Sequence, residues 1–235
     1  MPARSALQVV KIGGSLLLRR GLLDDLDGWW QLRPARPTVF LVGGGQLIDA
    51  VRAWDKARPG DPAAVHWSCV DLLRGSFDHL AEQFASDARF SDVTLISDRT
   101  EFNDFAAASS PPATQSSDAV GRMLLKVSAA YHRHAGGAFA RLPSTWETTT
   151  DAIALALAEQ LNATECVILK SCPIPNACLS NQPAYAVGPV DVRRLISLGI
   201  LDPASGFASE PDYRPRISIQ KLPESQRPDT GSACE

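Results

Sequence analysis

The sequence predicts an α/β protein built around a mainly parallel sheet. Two short apolar runs, Leu7 to Ile12 and Val39 to Val42, each end in consecutive glycines and lead straight into a helical pattern. The strand–glycine–helix unit therefore occurs twice before residue 60. Two further short apolar runs, Val93 to Ser97 and Cys166 to Leu169, alternate with helical stretches downstream. Strands that alternate with helices in this way are joined by right-handed crossovers and lie parallel in one sheet.

Each element has a local reason. Leu7 to Ile12 is rich in β-branched residues and reads as a buried strand running into the Gly13-Gly14 turn. Ser15 stands where it would cap a helix expected over Leu16 to Leu26. After the second strand and Gly43-Gly44-Gly45, the segment Gln46 to Lys56 repeats Leu47, Ile48, Val51 and Trp54 at helical spacing. Pro59 to Pro62 is a loop, and Ala63 to Ala85 is a long helix carrying Val65, Cys69, Leu72, Leu73, Leu80 and Phe84. The Pro- and Ser-rich stretch Ala106 to Ser117 is expected to be a mobile loop, and Met123 to Val127 a strand. Thr150 to Gln160 is a helix rich in Ala and Leu, Val190 to Leu198 a short helix, and Arg216 to Ile219 a final strand. No repeat and no linker divides the chain. Residues 1–220 are expected to form one domain, and the polar residues 221–235 a disordered tail.

Composition narrows the function. The 235 residues are 45% hydrophobic and 21% charged, ordinary values for a globular protein with a real core. The net charge is −3 and no basic stripe is present, so a nucleic-acid partner is not expected. Any anion site must be local. The five cysteines include no C-x-x-C pair, which argues against a zinc site or a disulfide framework and for reduced thiols in the cytoplasm. No secretory signal and no membrane-spanning apolar stretch is visible.

Four segments carry candidate chemistry. In VVKIGGS, Lys11 lies in an otherwise apolar strand two residues before a glycine pair. Ligands in open α/β sheets bind beyond the carboxyl ends of strands, where bare glycine N–H groups and a helix N-terminus favour an anion. A tight turn beside a snorkelling lysine explains this segment equally well. In VFLVGGGQLID, Gly43, Gly44 and Gly45 are more than a turn requires and suit an anion against the backbone. Neither turn is a Walker A loop or a dinucleotide fingerprint. In LPSTWETTTDAIALALAEQL, Thr149 or Thr150 can cap the helix; Asp151 either complements its dipole or orients lysines. In CVILKS, Lys170 ends another wholly apolar strand.

VVKIGGS, VFLVGGG, the T-x-D-x-x-A helix and VILKS stand in the order and spacing of the amino-acid kinase family, which includes acetylglutamate, aspartate, carbamate and uridylate kinases. The resemblance covers roughly residues 7–203 and implies a three-layer α/β/α sandwich around a mainly parallel sheet. Within that family the chain is most similar to the methanofuran-biosynthesis kinases that phosphorylate aminomethylfuran-methyl phosphate. The matching pieces are His66-Trp67, Leu142 to Glu147 leading into Thr150-Asp151, and Gly199-Ile200-Leu201-Asp202-Pro203.

The resemblance implies a phosphotransferase that uses ATP, with Mg²⁺ carried on the nucleotide rather than by protein ligands, and a small phosphate or carboxylate as acceptor. Lys11 would neutralise the transferring group, Gly13, Gly14 and Ser15 would hold it, and Gly43, Gly44 and Gly45 would cradle the acceptor. Asp151 would position the lysines, and Lys170 with Ser171 would meet the nucleotide. A cytoplasmic homo-oligomer is the expected assembly. One departure stands out: the T-x-V-D-G-type segment that follows this strand in relatives is replaced by Ser171-Cys172-Pro173-Ile174-Pro175-Asn176. It is the basis for the competing expectation, a kinase fold that binds ligands as a regulatory subunit without turnover.

Overall fold

A computed structural model describes residues 7–109, 121–172, 186–187, 189–210 and 212–224. Seven strands form a single sheet: β1 (Gln8–Ile12), β2 (Thr38–Val42), β3 (Val93–Ile96), β4 (Arg122–Leu125), β5 (Glu165–Lys170), β6 (Ala186–Val187) and β7 (Arg216–Lys221), in the order β3-β4-β2-β1-β5-β7-β6. Every pairing is parallel except that of the two-residue β6 with β7. β1 and β2 are buried at every residue, as central strands covered on both faces must be.

Helices cover both faces, giving the three-layer sandwich. One face of the sheet packs Val9, Leu41, Cys166, Ile168, Ile217 and Ile219 into a core with helix α6 (Thr150–Gln160). Nine consecutive residues of α6, Thr150 to Ala158, are buried, and its alanines let it lie close on the sheet. The opposite face packs Val10, Ile12, Phe40, Val167 and Leu169 against α1 (Leu22–Gln31). Helix α2 (Gln46–Ala57) leads from the second glycine turn into α3 (Pro62–Ala85), whose first half joins the first core and whose second half joins the other. Asp61 caps α3 by accepting from Ala64 N–H at 2.8 Å, with Pro62 at the first helical position. No helix among the described residues is long and apolar enough to cross a membrane.

Four local expectations change. The helix expected over Leu16 to Leu26 is a 3₁₀ turn at Gly14–Leu18 followed by a break, because Gly21 adopts φ 77° and α1 begins only at Leu22. Ser15 lies inside that turn and caps nothing. Residues 106–109 of the expected Ser/Pro-rich loop complete α4 (Arg99–Ser109); residues 110–117 lie outside the described residues. That helix starts on a reciprocal cap: Asp98 accepts from Thr100 and Glu101 N–H, and Glu101 accepts from Ser97 and Asp98 N–H. β4 ends at Leu125, and Val127 opens the short α5 (Val127–Ala130) instead of extending a strand.

At the C-terminus, helix α7 (Pro189–Ser197) is followed by a 3₁₀ segment, Pro203–Ser209, and then by β7. The tail does not begin at Lys221. That residue pairs with Lys170, Leu222 is fully buried, and Arg19 donates to the carbonyls of Leu222 and Pro223 at 3.0 and 3.1 Å. Residues 225–235 lie outside the described residues.

Candidate active site

The two glycine turns sit back to back at the carboxyl ends of β1 and β2. A Cβ on Gly14 would lie 2.0 Å from the Gly45 nitrogen, and Gly45 itself holds φ +51°. Neither position tolerates a side chain, so the contact of bare backbones, rather than flexibility, is why glycine stands there. The turns do not offer all their N–H groups. Gly13 donates to Leu169 O at 3.0 Å and Gly43 to Ile12 O at 2.9 Å, each extending the sheet ladder by one residue. A phosphate-holding N–H at Gly13 or Gly43 is therefore ruled out by the parallel neighbour strand. The N–H groups of Gly14, Gly44 and Gly45 have no backbone acceptor among the described residues.

Lys11 crosses beneath this junction. A Cβ on Gly43 would come within 3.3 Å of the Lys11 Cε and 2.9 Å of Thr150 Oγ1, which shows how tightly the lysine stem is channelled. Its Nζ reaches Asp151 Oδ1 at 2.7 Å, and the two side chains are 7% and 6% exposed. Lys170 approaches from the end of β5 and places its Nζ 2.5 Å from Oδ2 of the same carboxylate. Burial pushes the Asp151 carboxyl upward; the charges and hydrogen bonds of Lys11 and Lys170 outweigh it and hold the group below its ordinary value. Two cations against one anion leave a net positive charge under the glycine turns.

Asp151 is free for this role because Thr149 caps α6, accepting from Asp151 N–H at 3.3 Å. Thr149 in turn donates its hydroxyl to Asp202 Oδ2 at 2.6 Å; Asp202 also accepts from Ala152 N–H at 3.3 Å and from Ser205. Burial, followed by the negative charge of Asp151, raises the Asp202 carboxyl above its usual range. Thr150 points into the cleft instead of capping.

The chain shares the fold of a uridylate kinase. The crystal structure of uridylate kinase from Archaeoglobus fulgidus superimposes with a TM-score of 0.53 at 14% sequence identity, covering 92% of this chain and 91% of that one. No protein-family model and no curated protein sequence matches the chain. At that identity the likeness concerns architecture, and the site rests on its own geometry.

The cleft above Lys11 is bounded by Gly14 and Gly43 to Gly45 on one side and by α2, α3 and the segment around Trp146 on the other. Ile48, Val70, Leu73 and Ile153 give it an aliphatic part of its lining. Arg52 also lines it, paired with Asp49 at 2.6 Å and stacked 5.0 Å over the Trp146 ring, while the Trp146 indole donates to Asp55 at 2.7 Å. His66 is buried and bridges Thr145 O at 3.1 Å and Tyr131 Oη at 2.9 Å, which ties this segment to α3. Burial lowers the His66 pKa, more than the Thr145 carbonyl raises it. A neutral ring that donates from Nδ1 and accepts from the tyrosine at Nε2 satisfies both contacts.

Ser15 and Ser171 do not line the cleft. Their hydroxyls meet each other at 2.8 Å and join the end of β1 to the end of β5 beside Lys170. Residues Pro173 to Asn176, most of the segment expected to differ from the amino-acid kinase pattern, lie outside the described residues. Arg52, Thr150 and Asp202 were not singled out as site residues from sequence. Arg52 reads as an ordinary exposed helix residue; only its spacing of three from Asp49 hints at more.

Proposed function

We propose that the chain is an ATP-dependent kinase of the amino-acid kinase type, acting on a small phosphate or carboxylate acceptor in the cleft above Lys11. The observation that carries this reading is the buried Lys11–Asp151–Lys170 cluster directly under two glycine turns whose N–H groups at Gly14, Gly44 and Gly45 face no backbone acceptor among the described residues. Phosphoryl transfer needs positioning and charge stabilisation more than covalent chemistry, and such a cluster supplies both.

An acceptor oxygen attacks the γ-phosphorus of ATP as the bond to the ADP leaving oxygen breaks. ATP brings the transferable group and the Mg²⁺ on its phosphate oxygens. The chain contributes the rest. Lys11 meets charge as it spreads over the transferring oxygens, the free glycine N–H groups hold those oxygens, and Asp151 keeps both lysines at fixed positions. Lys170, with Ser15 and Ser171 beside it, stands on the nucleotide side. The aliphatic side chains in the cleft's lining favour an acceptor with a small apolar or ring-shaped body over a purely polar one. Aminomethylfuran-methyl phosphate is such a molecule. Support for it comes from the clustering of His66, Trp146 and Asp202, residues of the motifs that suggested it, around this cleft and its α6 wall. A cytoplasmic homo-oligomer belongs to the same proposal.

The test is ADP release from Mg·ATP against a panel of phosphorylated and carboxylated acceptors that includes aminomethylfuran-methyl phosphate. Turnover with a ring-bearing phosphate, lost in Lys11→Ala, is the expected result. Inactivity with every acceptor and no stabilisation by Mg·ATP would contradict it and favour a regulatory, non-catalytic role.

A further inference from the structure

Lys11 and Lys170 are committed to Asp151, since withdrawing either would leave a buried carboxylate short of charge. Lys221 is not so committed. β5 and β7 pair in parallel register with Lys170 opposite Lys221, about 5 Å away across the sheet. Partners in parallel register point to the same face. Ile217 and Ile219 of β7 share the α6-side core with Cys166 and Ile168 of β5, whereas Gln220 bonds Trp29 of α1 on the other face. Lys221 therefore projects on the α6 side, in a row with Lys11 and Lys170 at the carboxyl ends of β1, β5 and β7.

Exposure rises along that row: the side chains are 7%, 18% and 44% exposed for Lys11, Lys170 and Lys221. The acid beside Lys221 is Glu224, 3.9 Å away and 70% exposed, a pairing too loose and too wet to hold it. The backbone beneath is fixed, since Leu222 N–H donates to Lys170 O at 3.0 Å and Leu222 is fully buried. A mobile ammonium thus stands on a rigid base, next to the lysine expected to face the nucleotide.

We infer that Lys221 is a further phosphate-binding residue on the nucleotide side, reaching the β- and γ-phosphates of ATP while Lys170 stays bound to Asp151. The inference rests on the kinase reading above. Three lysines against the buried Asp151 and the exposed Glu224 leave a net positive charge on this face, which suits a polyphosphate better than an uncharged nucleoside.

Isothermal titration of ATP, ADP and AMP, with Mg²⁺, into the wild-type chain, Lys221→Ala and Lys221→Arg tests it. Lys221→Ala should weaken ATP and ADP roughly 10- to 100-fold, the range of one charge-assisted contact, and leave AMP nearly unchanged. Lys221→Arg should restore most of the loss, and the melting temperature of both variants should stay at the wild-type value. Equal weakening of all three nucleotides would mark a structural role and overturn the inference. So would wild-type ATP affinity in Lys221→Ala, although the kinase reading would survive that result. A wild-type chain that binds no ATP would remove both.

Discussion

Asp151 is a single buried carboxylate that serves two lysines from different strands. Replacing it by Asn keeps the shape and removes the charge, which strands two partly buried ammonium groups beside each other. Asp151→Asn should therefore destabilise the fold by about 3–5 kcal/mol, measured as a shift in denaturant midpoint. The pH dependence follows from the same pair of lysines. The folded-state pKa of Asp151 lies below its unfolded value, so its stabilisation is fully present above that unfolded value. It is lost as the pH falls through the folded-state value. Asp202 works in the opposite direction, because its raised pKa makes ionisation cost stability and protonation in acid recover it. The wild-type chain should lose stability on acidification below about pH 4, and Asp151→Asn should lose less over the same range. Unfolding curves at several pH values would show whether the two slopes differ.

Among the elements, the glycine turns are the least replaceable. Gly14→Ala would drive a methyl group to 2.0 Å from the Gly45 nitrogen, a clash with backbone that no rotamer relieves. Gly28 lies in α1, where an added methyl group meets nothing within 4 Å. Gly14→Ala should cost well over ~1 kcal/mol and abolish ligand binding in the cleft, whereas Gly28→Ala should stabilise the protein by about 0.5–1 kcal/mol. Thermal melts of the two variants side by side would separate a strained turn from a merely flexible helix position. The same elements show what sequence can convey. The strands around Lys11, Val39 and Cys166 were legible because buried parallel strands are unbroken apolar runs. The break at Gly21 was not, since a leucine run from Leu16 to Leu18 looks helical whether or not Arg19 is drawn to Asp25 and to the chain's distant end.

At the scale of the whole molecule, the parallel sheet and its two covered faces follow from the repeated strand–glycine–helix pattern, and the likeness to a uridylate kinase agrees with that architecture. Contacts between residues far apart in sequence were beyond sequence reasoning. Asp202 joins Thr149 across 53 positions, and Lys221 reaches the Lys170 row only because β7 pairs with β5. The engagement of Gly13 and Gly43 in the ladder likewise depends on neighbour strands, so the two glycine motifs overstated the number of N–H groups free for a phosphate. In the proposed function this charge arrangement transfers a phosphoryl group. Its most direct test is the rate of ADP formation by the wild-type chain and by Lys11→Ala at saturating Mg·ATP, with the acceptor found in the panel. The account predicts a fall in kcat of roughly 100- to 1000-fold with KM little changed, because the lysine charge matters most in the transition state. A Lys11→Ala variant with near-wild-type kcat would contradict it.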